Sequence, residues 1–164
     1  NMLDLVMLDR KQVKLKKTKI NFSDLVIERI NNCRDIYMES SEIEFEMDIE
    51  HNISIEIDPN YMRQVIDNLI INAIKHSKES PVRIKVKRSK QEVSFAVSNI
   101  GDKIPERELY DIFTSFKMTS RTEKKSESRG VGLTLCKAAI EAHGGIILAE
   151  NHNNGTRFRF TLPL

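Results

Sequence analysis

Four short segments in the second half of this 164-residue chain do most to limit its fold: "VRIKVKR" (82–88), "EVSFAVSN" (92–99), "IILAEN" (146–151) and "TRFRFTLP" (156–163). The first two alternate apolar and polar residues with period two, as strands with one buried face do. The four fall into two pairs, each joined by a short polar turn, and the turn at Asn153, Asn154 and Gly155 has hairpin chemistry. Two earlier segments, "EIEFEMDIE" (42–50) and "NISIEID" (52–58), alternate in the same way. Strands of this kind need something to cover their apolar side. The chain supplies helices to do it. From Phe22 to about Met38, Leu25, Val26, Ile30, Cys33 and Tyr37 recur at helical spacing behind Asn21 or Ser23 as a cap. A second helix starts at Asp58 and Pro59, as N-cap and first helical residue. A third, "VGLTLCKAAIEAHGG" (131–145), is closed by Gly144. "ERELYDIF" (106–113) reads as a short helix, and "KMTSRTEKKSESRG" (117–130), without apolar periodicity, as a mobile loop. The pattern predicts an α+β two-layer sandwich built as one domain.

Charge says little about partners: 26 Lys and Arg against 24 Asp and Glu leave a net charge of +2, which gives no reason to expect nucleic acid or a membrane surface. Cys33 and Cys136 lie far apart in helical stretches, with no partner at metal-ligand spacing, and read as buried thiols of a reducing compartment. No apolar run approaches the roughly 18 residues that cross a bilayer. The first residues, "NMLDLVMLDRKQVKLKKTKI", carry an apolar helical stripe at Met2, Leu3, Leu5, Val6 and Leu8 before a lysine-rich segment, and read as the tail of a helix.

The helix after Pro59 contains an oddity. Met62, Val65, Ile66, Leu69, Ile70, Ala73 and Ile74 share one broad face, whereas Gln64, Asn68, Asn72 and Lys75 lie along the opposite side. The wheel therefore points both asparagines away from the core. Asparagine is a poor helix former whose amide competes for backbone hydrogen bonds, so two on one line call for an outside reason. A hard cation and a polyphosphate would supply one, since an amide oxygen can bind Mg²⁺, an amide NH₂ can donate to phosphate, and Lys75 adds positive charge.

With that chemistry in view, "NLIINAIKH" (68–76) resembles the N box of the sensor histidine kinases of two-component signalling. These belong to an ATP-binding superfamily that also holds DNA gyrase, mismatch-repair proteins and a heat-shock chaperone. Further boxes follow in order: "NIGDKIP" resembles the first glycine box, "IFTSF" the phenylalanine box, "RGVGLTLCK" the second glycine box, and "EAHGGIILAEN" with "GTRFRFTLP" the usual ending. The likeness runs from about Phe22 to Leu164. It implies a sandwich of the GHKL, or Bergerat, type, with a mixed, mostly antiparallel sheet on about three helices. Residues 21–164 would be the catalytic ATP-binding domain, and 1–20 a remnant of the second helix of the dimerising phosphoacceptor domain plus a linker.

The resemblance also implies ATP and Mg²⁺ as cofactors and assigns roles. Asn72 would bind Mg²⁺ through its amide oxygen; Asn68 and Lys75 would contact phosphates and, with Asn72, form the catalytic set. His76 stands where many members have a tyrosine near the adenine. Asn99 replaces the acidic residue that accepts from the adenine amino group, and Gly101 would let the backbone approach the base. Gly130 and Gly132 would bring N–H groups and a helix dipole to the phosphates. Ile104, Phe113, Phe116, Lys117, Arg129, Val131, Leu133 and Thr156 complete the implied ATP site. Phe113 and Phe116 would be core residues or the base of an ATP lid spanning Lys117 to Arg129.

Hydrolysing members carry a glutamate where this chain has Asn68. An amide cannot act as a base near neutral pH, so transfer to an acceptor that brings its own nucleophile is expected over hydrolysis. Asn99 in place of a carboxylate exchanges a charge-assisted bond for a neutral one, about 1 kcal/mol. Lys103 and Ser128 replace glycines of the two glycine boxes, and the basic residue often found after the phenylalanine box falls at Met118. His51, His76, His143 and His152 are followed by Asn, Ser, Gly and Asn, so none resembles a phosphoacceptor motif, where an acidic residue follows. The expectation is therefore a protein-histidine kinase catalytic domain that phosphorylates a histidine outside this chain, with a response regulator served by the full-length kinase. The domain itself is expected to be cytoplasmic and monomeric, with a membrane-anchored parent. The alternative is a degenerate, non-catalytic nucleotide-sensing or docking module.

Overall fold

The structure, a computed structural model, describes residues 14–37, 42–114 and 128–164, with the backbone alone for 128–131. Along the chain come β1 (Thr18–Asn21), α1 (Phe22–Tyr37), β2 (Phe45–Ile49), β3 (Ser54–Ile57), α2 (Pro59–His76), β4 (Glu79–Arg88) and β5 (Glu92–Ile100). Two 3₁₀ turns, Glu106–Glu108 and Asp111–Phe113, precede α3 (Ser128–Ala142), β6 (Ile146–His152) and β7 (Gly155–Pro163). Five strands form one sheet in the order β2-β4-β5-β7-β6. β2 runs parallel to β4 and the other neighbours are antiparallel, which is the mixed sheet expected. β1 and β3 form a separate antiparallel pair.

The period-two pattern becomes one buried face. Val82, Ile84 and Val86 of β4, Val93, Phe95 and Val97 of β5, and Phe158, Phe160 and Leu162 of β7 all point into the core. Phe95 and Phe160 face each other in register and stack with centroids 5.0 Å apart, while Phe22 of α1 meets Phe160 edge-on at 6.4 Å. Burying each such ring contributes about 1.5–3 kcal/mol, so the hairpin faces and the helices over them form one cooperative layer pair.

The caps form as their residues dictate. Asn21 Oδ1 accepts from the Asp24 N–H at 3.1 Å, and Asp58 Oδ1 accepts from the N–H groups of Asn60 and Tyr61 at 3.0 and 3.3 Å. At the end of α3, Gly144 takes a left-handed φ of 80°, and the Gly145 N–H reaches the Ile140 carbonyl at 2.9 Å.

Helix α2 is the middle of the helical layer. It packs on α1, α3 and β5, and no residue from Tyr61 to Ile74 is exposed. Arg29 of α1 clamps Asp67 of α2 with two 2.8 Å bonds, from Nε and Nη2 to the two carboxylate oxygens.

Three local expectations need correction. Residues 18–20, placed by sequence in a linker, belong to β1, whose four residues are too few to show a period. "ERELYDIF" forms two 3₁₀ turns instead of one helix; the bend lets Ile112 and Phe113, adjacent in sequence, both reach the core. Helix α3 begins at Ser128, so Ser128, Arg129 and Gly130 are helical although no apolar residue marks them. The N-terminal helical stripe, and residues 117–127 of the expected loop, lie outside the described residues.

Candidate nucleotide-binding site

The two asparagines on the polar line of α2 do not stand open to solvent. Asn72 is 6% exposed, and Asn68 is half-buried, because α3 lies across this side of the helix. Helical periodicity reported the apolar face correctly but could not show that a second helix covers the other. Asn68 Nδ2 donates to the Gly132 carbonyl at 3.4 Å, which ties the middle of α2 to the first turns of α3. Asn72 Nδ2 is buried and has no hydrogen-bond partner among the described residues. A buried amide donor left unpaired costs about 1–3 kcal/mol, a cost that a bound anion or other acceptor would remove. Lys75 is exposed beyond this pair, and His76 is half-buried at the last turn.

The end of β5 abuts that last turn. A Cβ at Gly101 would fall 2.3 Å from the His76 carbonyl oxygen, so only glycine lets the strand's exit pass the helix. The sequence reading gave this glycine to the base; its tightest neighbour is the protein's own backbone. Asn99 ends the row of buried residues on β5 that begins at Val93, and is itself 5% exposed. It stands opposite Thr156 of β7, which is fully buried and whose hydroxyl donates to Asn99 Oδ1 at 2.7 Å. Asn99 Nδ2 is buried and has no partner among the described residues.

One residue escaped the sequence reading. Asn151 of β6 pairs in register with Thr156 and uses both ends of its amide on one backbone unit: Nδ2 donates to the Ile104 carbonyl at 2.8 Å and Oδ1 accepts from the Ile104 N–H at 2.9 Å. This pins the loop after Gly101 and buries Ile104. The available signal was an asparagine at the end of a strand, where it is disfavoured on propensity alone.

Phe113 is buried and meets Phe158 edge-on at 5.9 Å, while Thr134 Oγ1 of α3 donates to the Thr114 carbonyl at 3.2 Å. Phe113 is therefore a core residue. Leu133 is buried as well. Phe116 and Lys117 lie outside the described residues, as do the side chains of Arg129 and Val131; Gly130 is placed only by its backbone in α3. At Gly132 a Cβ would meet nothing closer among the described residues than Asn68 at 3.5 Å, an ordinary contact, so none of them demands this glycine.

Around the C-terminal half of α2, then, the structure gathers Asn68 with Gly132, Asn72, Lys75, and His76 with Gly101, Asn99 and Thr156. Two buried NH₂ groups in it lack acceptors. Chemically this is a donor-rich wall suited to phosphate oxygens and a heterocycle edge. No group of three or more His, Cys, Asp or Glu residues able to hold a metal occurs among the described residues, so a cation here would depend on amide oxygen and on the ligand's own oxygens. Cys136, in the α3 core, donates weakly to the Val65 carbonyl at 3.8 Å, and burial pushes its thiol up to about 12.

Comparison with known proteins gives this geometry a family. Residues 57–164 match the family described as "Histidine kinase-, DNA gyrase B-, and HSP90-like ATPase". A curated relative, the adaptive-response sensory kinase SasA of Synechococcus sp. (strain JA-3-3Ab), is 36% identical over 131 residues, which are 77% of this chain and 34% of SasA. Among solved structures, the catalytic domain of histidine kinase ThkA superposes with a TM-score of 0.80 at 29% identity, covering 91% of this chain and 97% of that one. ThkA in complex with the response regulator protein TrrA superposes with a TM-score of 0.77 at 27% identity, covering 99% of this chain and 46% of that one. The fold and site define an ATP-binding sandwich. The chain belongs to the histidine kinase-, gyrase B- and HSP90-like ATPase family, as a catalytic and ATP-binding domain of the sensor histidine kinase type. It spans about a third of the length of SasA.

Proposed function

We propose that this domain binds ATP with Mg²⁺ between α2, the end of β5 and the start of α3, and transfers the γ-phosphoryl group to a histidine on a phosphoacceptor domain outside the described residues. The observation that carries the proposal is the buried, unpartnered amide of Asn72 on the face of α2 that also bears Asn68. A helix does not keep such a donor at no cost unless a ligand completes it. Gly132 supports it from the other side, because among the described residues nothing crowds that position and a helix-interior glycine costs about 1 kcal/mol against alanine.

Asn68 and Lys75 are read as the phosphate contacts, with His76, Asn99, Gly101, Ile104 and Thr156 at the base end. The first turns of α3, with Gly130 and Gly132, would offer backbone N–H groups and the positive end of the helix dipole to the phosphates. The Asn72 amide oxygen would hold Mg²⁺, which when bound offsets charge on the phosphate oxygens. Asn68 cannot take a proton from water, so the domain orients the nucleotide and leaves the nucleophile to its partner. An imidazole nitrogen of the acceptor would form the N–P bond as the bond from the γ-phosphorus to its bridging oxygen breaks and ADP departs.

The partners follow by analogy. ThkA forms a complex with a response regulator, and the parent of this domain would pass its phosphoryl group to one. Among the described residues no helix is long and apolar enough to cross a membrane; a cytoplasmic placement with a membrane-anchored parent remains part of the proposal. The reading as a non-catalytic module draws no support from the family match or the relatives.

The test is phosphoryl transfer from γ-labelled ATP to a phosphoacceptor helix hairpin supplied in trans. Label should appear on the hairpin as acid-labile, base-stable phosphohistidine and require Mg²⁺. Free phosphate released without labelled hairpin would make the domain a hydrolase and overturn the proposal.

A further inference from the structure

The polarity of the Asn99 amide bears on which base the site accepts, an inference that rests on the nucleotide-binding reading above. Asn99 and Thr156 face each other across β5 and β7, and the Thr156 hydroxyl donates to Asn99 Oδ1 at 2.7 Å. Thr156 is fully buried, so its donation goes to the amide and not to water. The third polar residue in the row, Asn151, has both ends of its amide committed to the Ile104 backbone and cannot exchange partners with Asn99. What remains is Asn99 Nδ2, buried, without an acceptor, and 3.4 Å from the point where a Cβ at Gly101 would begin. The end of the Asn99 amide left uncommitted for a ligand is therefore its donor.

A carboxylate at this position would offer acceptors alone. It would pair with the 6-amino group of adenine and repel the 6-oxo group of guanine or hypoxanthine. The amide differs in kind: its NH₂ can donate to a 6-oxo oxygen, or to ring N1 of adenine, where that nitrogen is an acceptor. Both purine types then find a partner. We propose that Asn99, held by Thr156, relaxes base selection so that this domain binds 6-oxopurine nucleoside triphosphates as well as ATP.

The sharpest probe is inosine triphosphate, whose base differs from adenine at the 6-position and the N1 proton only. Calorimetric titrations would compare nonhydrolysable ATP, ITP and GTP analogues with Mg²⁺ on the wild-type chain and on Asn99→Asp, each verified as folded by its melting transition. The expected result is ATP and ITP affinities within about tenfold of each other in the wild type, and at least a tenfold shift toward ATP in Asn99→Asp. Thr156→Val, which removes the hydroxyl that orients the amide while keeping its shape, should alter the ATP-to-ITP ratio more than it alters the mean affinity. Wild-type binding of the ATP analogue with ITP weaker by a hundredfold or more would mean that the amide turns its oxygen to the base, and would overturn the inference while leaving the nucleotide-binding reading intact. Failure of all three analogues on folded protein would overturn both.

Discussion

The backbone N–H of Asp58, at the start of α2, donates to Nε2 of His143, at the end of α3, across 3.1 Å. Nδ1 of the same ring lies 2.7 Å from the Ala139 carbonyl and so carries the proton. The pair thus needs a neutral imidazole. Burial lowers the His143 pKa from 6.5; the bond to the Ala139 carbonyl opposes it in part, Lys17 lowers it further, and the Asp58 carboxylate opposes least.

The sign of the pH effect follows. Below pH 6.5 the unfolded chain takes up a proton that folded His143 resists, so the unfolded state gains. Stability from this site should be full above that pH and should fall as pH drops through the window below it. Melting temperatures of wild type and His143→Gln, measured from pH 8 to 5, should diverge least at the acid end. Parallel curves across the range would mean that His143 is not the group responsible.

Gly101 and Gly132 should respond to alanine with opposite signs of stability. Gly101→Ala forces a methyl into the His76 carbonyl, and overpacking of that kind costs about 1–3 kcal/mol. Gly132→Ala places its methyl in ordinary contact with Asn68 and should raise helix stability by up to about 1 kcal/mol. Under the proposed function the same change weakens nucleotide binding, because it fills the approach to α3. Denaturant melts beside nucleotide titrations separate the two effects; a Gly132→Ala protein that binds as tightly as wild type would remove this glycine from the site.

Asn72→Ala should leave the ligand-free domain within about 1 kcal/mol of wild type, since it deletes a buried donor that has no partner to lose. The rise in melting temperature produced by Mg²⁺ and an ATP analogue should vanish. A large loss of stability without ligand would make Asn72 a packing residue.

Both thiols should be inert while the domain is folded. Cys33 and Cys136 are buried, and desolvation first of all pushes each up to about 12, so almost no thiolate exists at pH 8. A colorimetric thiol reagent should find about two groups per chain in denaturant and none within minutes in its absence. Prompt native labelling would indicate opening of α1 or α3 from the core.

Much of this fold was legible because period two and period 3.6 each register burial of a single face. β4, β5 and β7 alternate cleanly, and Asp58-Pro59 and Gly144 mark helix ends by local chemistry that needs no tertiary partner. The site was legible in composition and less so in environment. The asparagines of α2 stood out by propensity, but their burial depends on α3, more than fifty residues downstream, and no helical wheel includes it. The commitment of the Asn99 oxygen to Thr156 depends on strand register, and the role of Asn151 depends on the loop folding back onto β6. β1, in its ladder with β3, went unseen because its four residues are too few to show a period.

That small ladder gives the domain a stiff collar at its upstream side. Thr18–Asn21 is hydrogen-bonded along β3, and the Lys16 N–H donates at 2.9 Å to Asp58 Oδ2, on the same carboxylate that caps α2. The chain that enters at Lys16 is thereby tied, through one backbone donor and one carboxylate, to the first turn of the helix that carries Asn68 and Asn72.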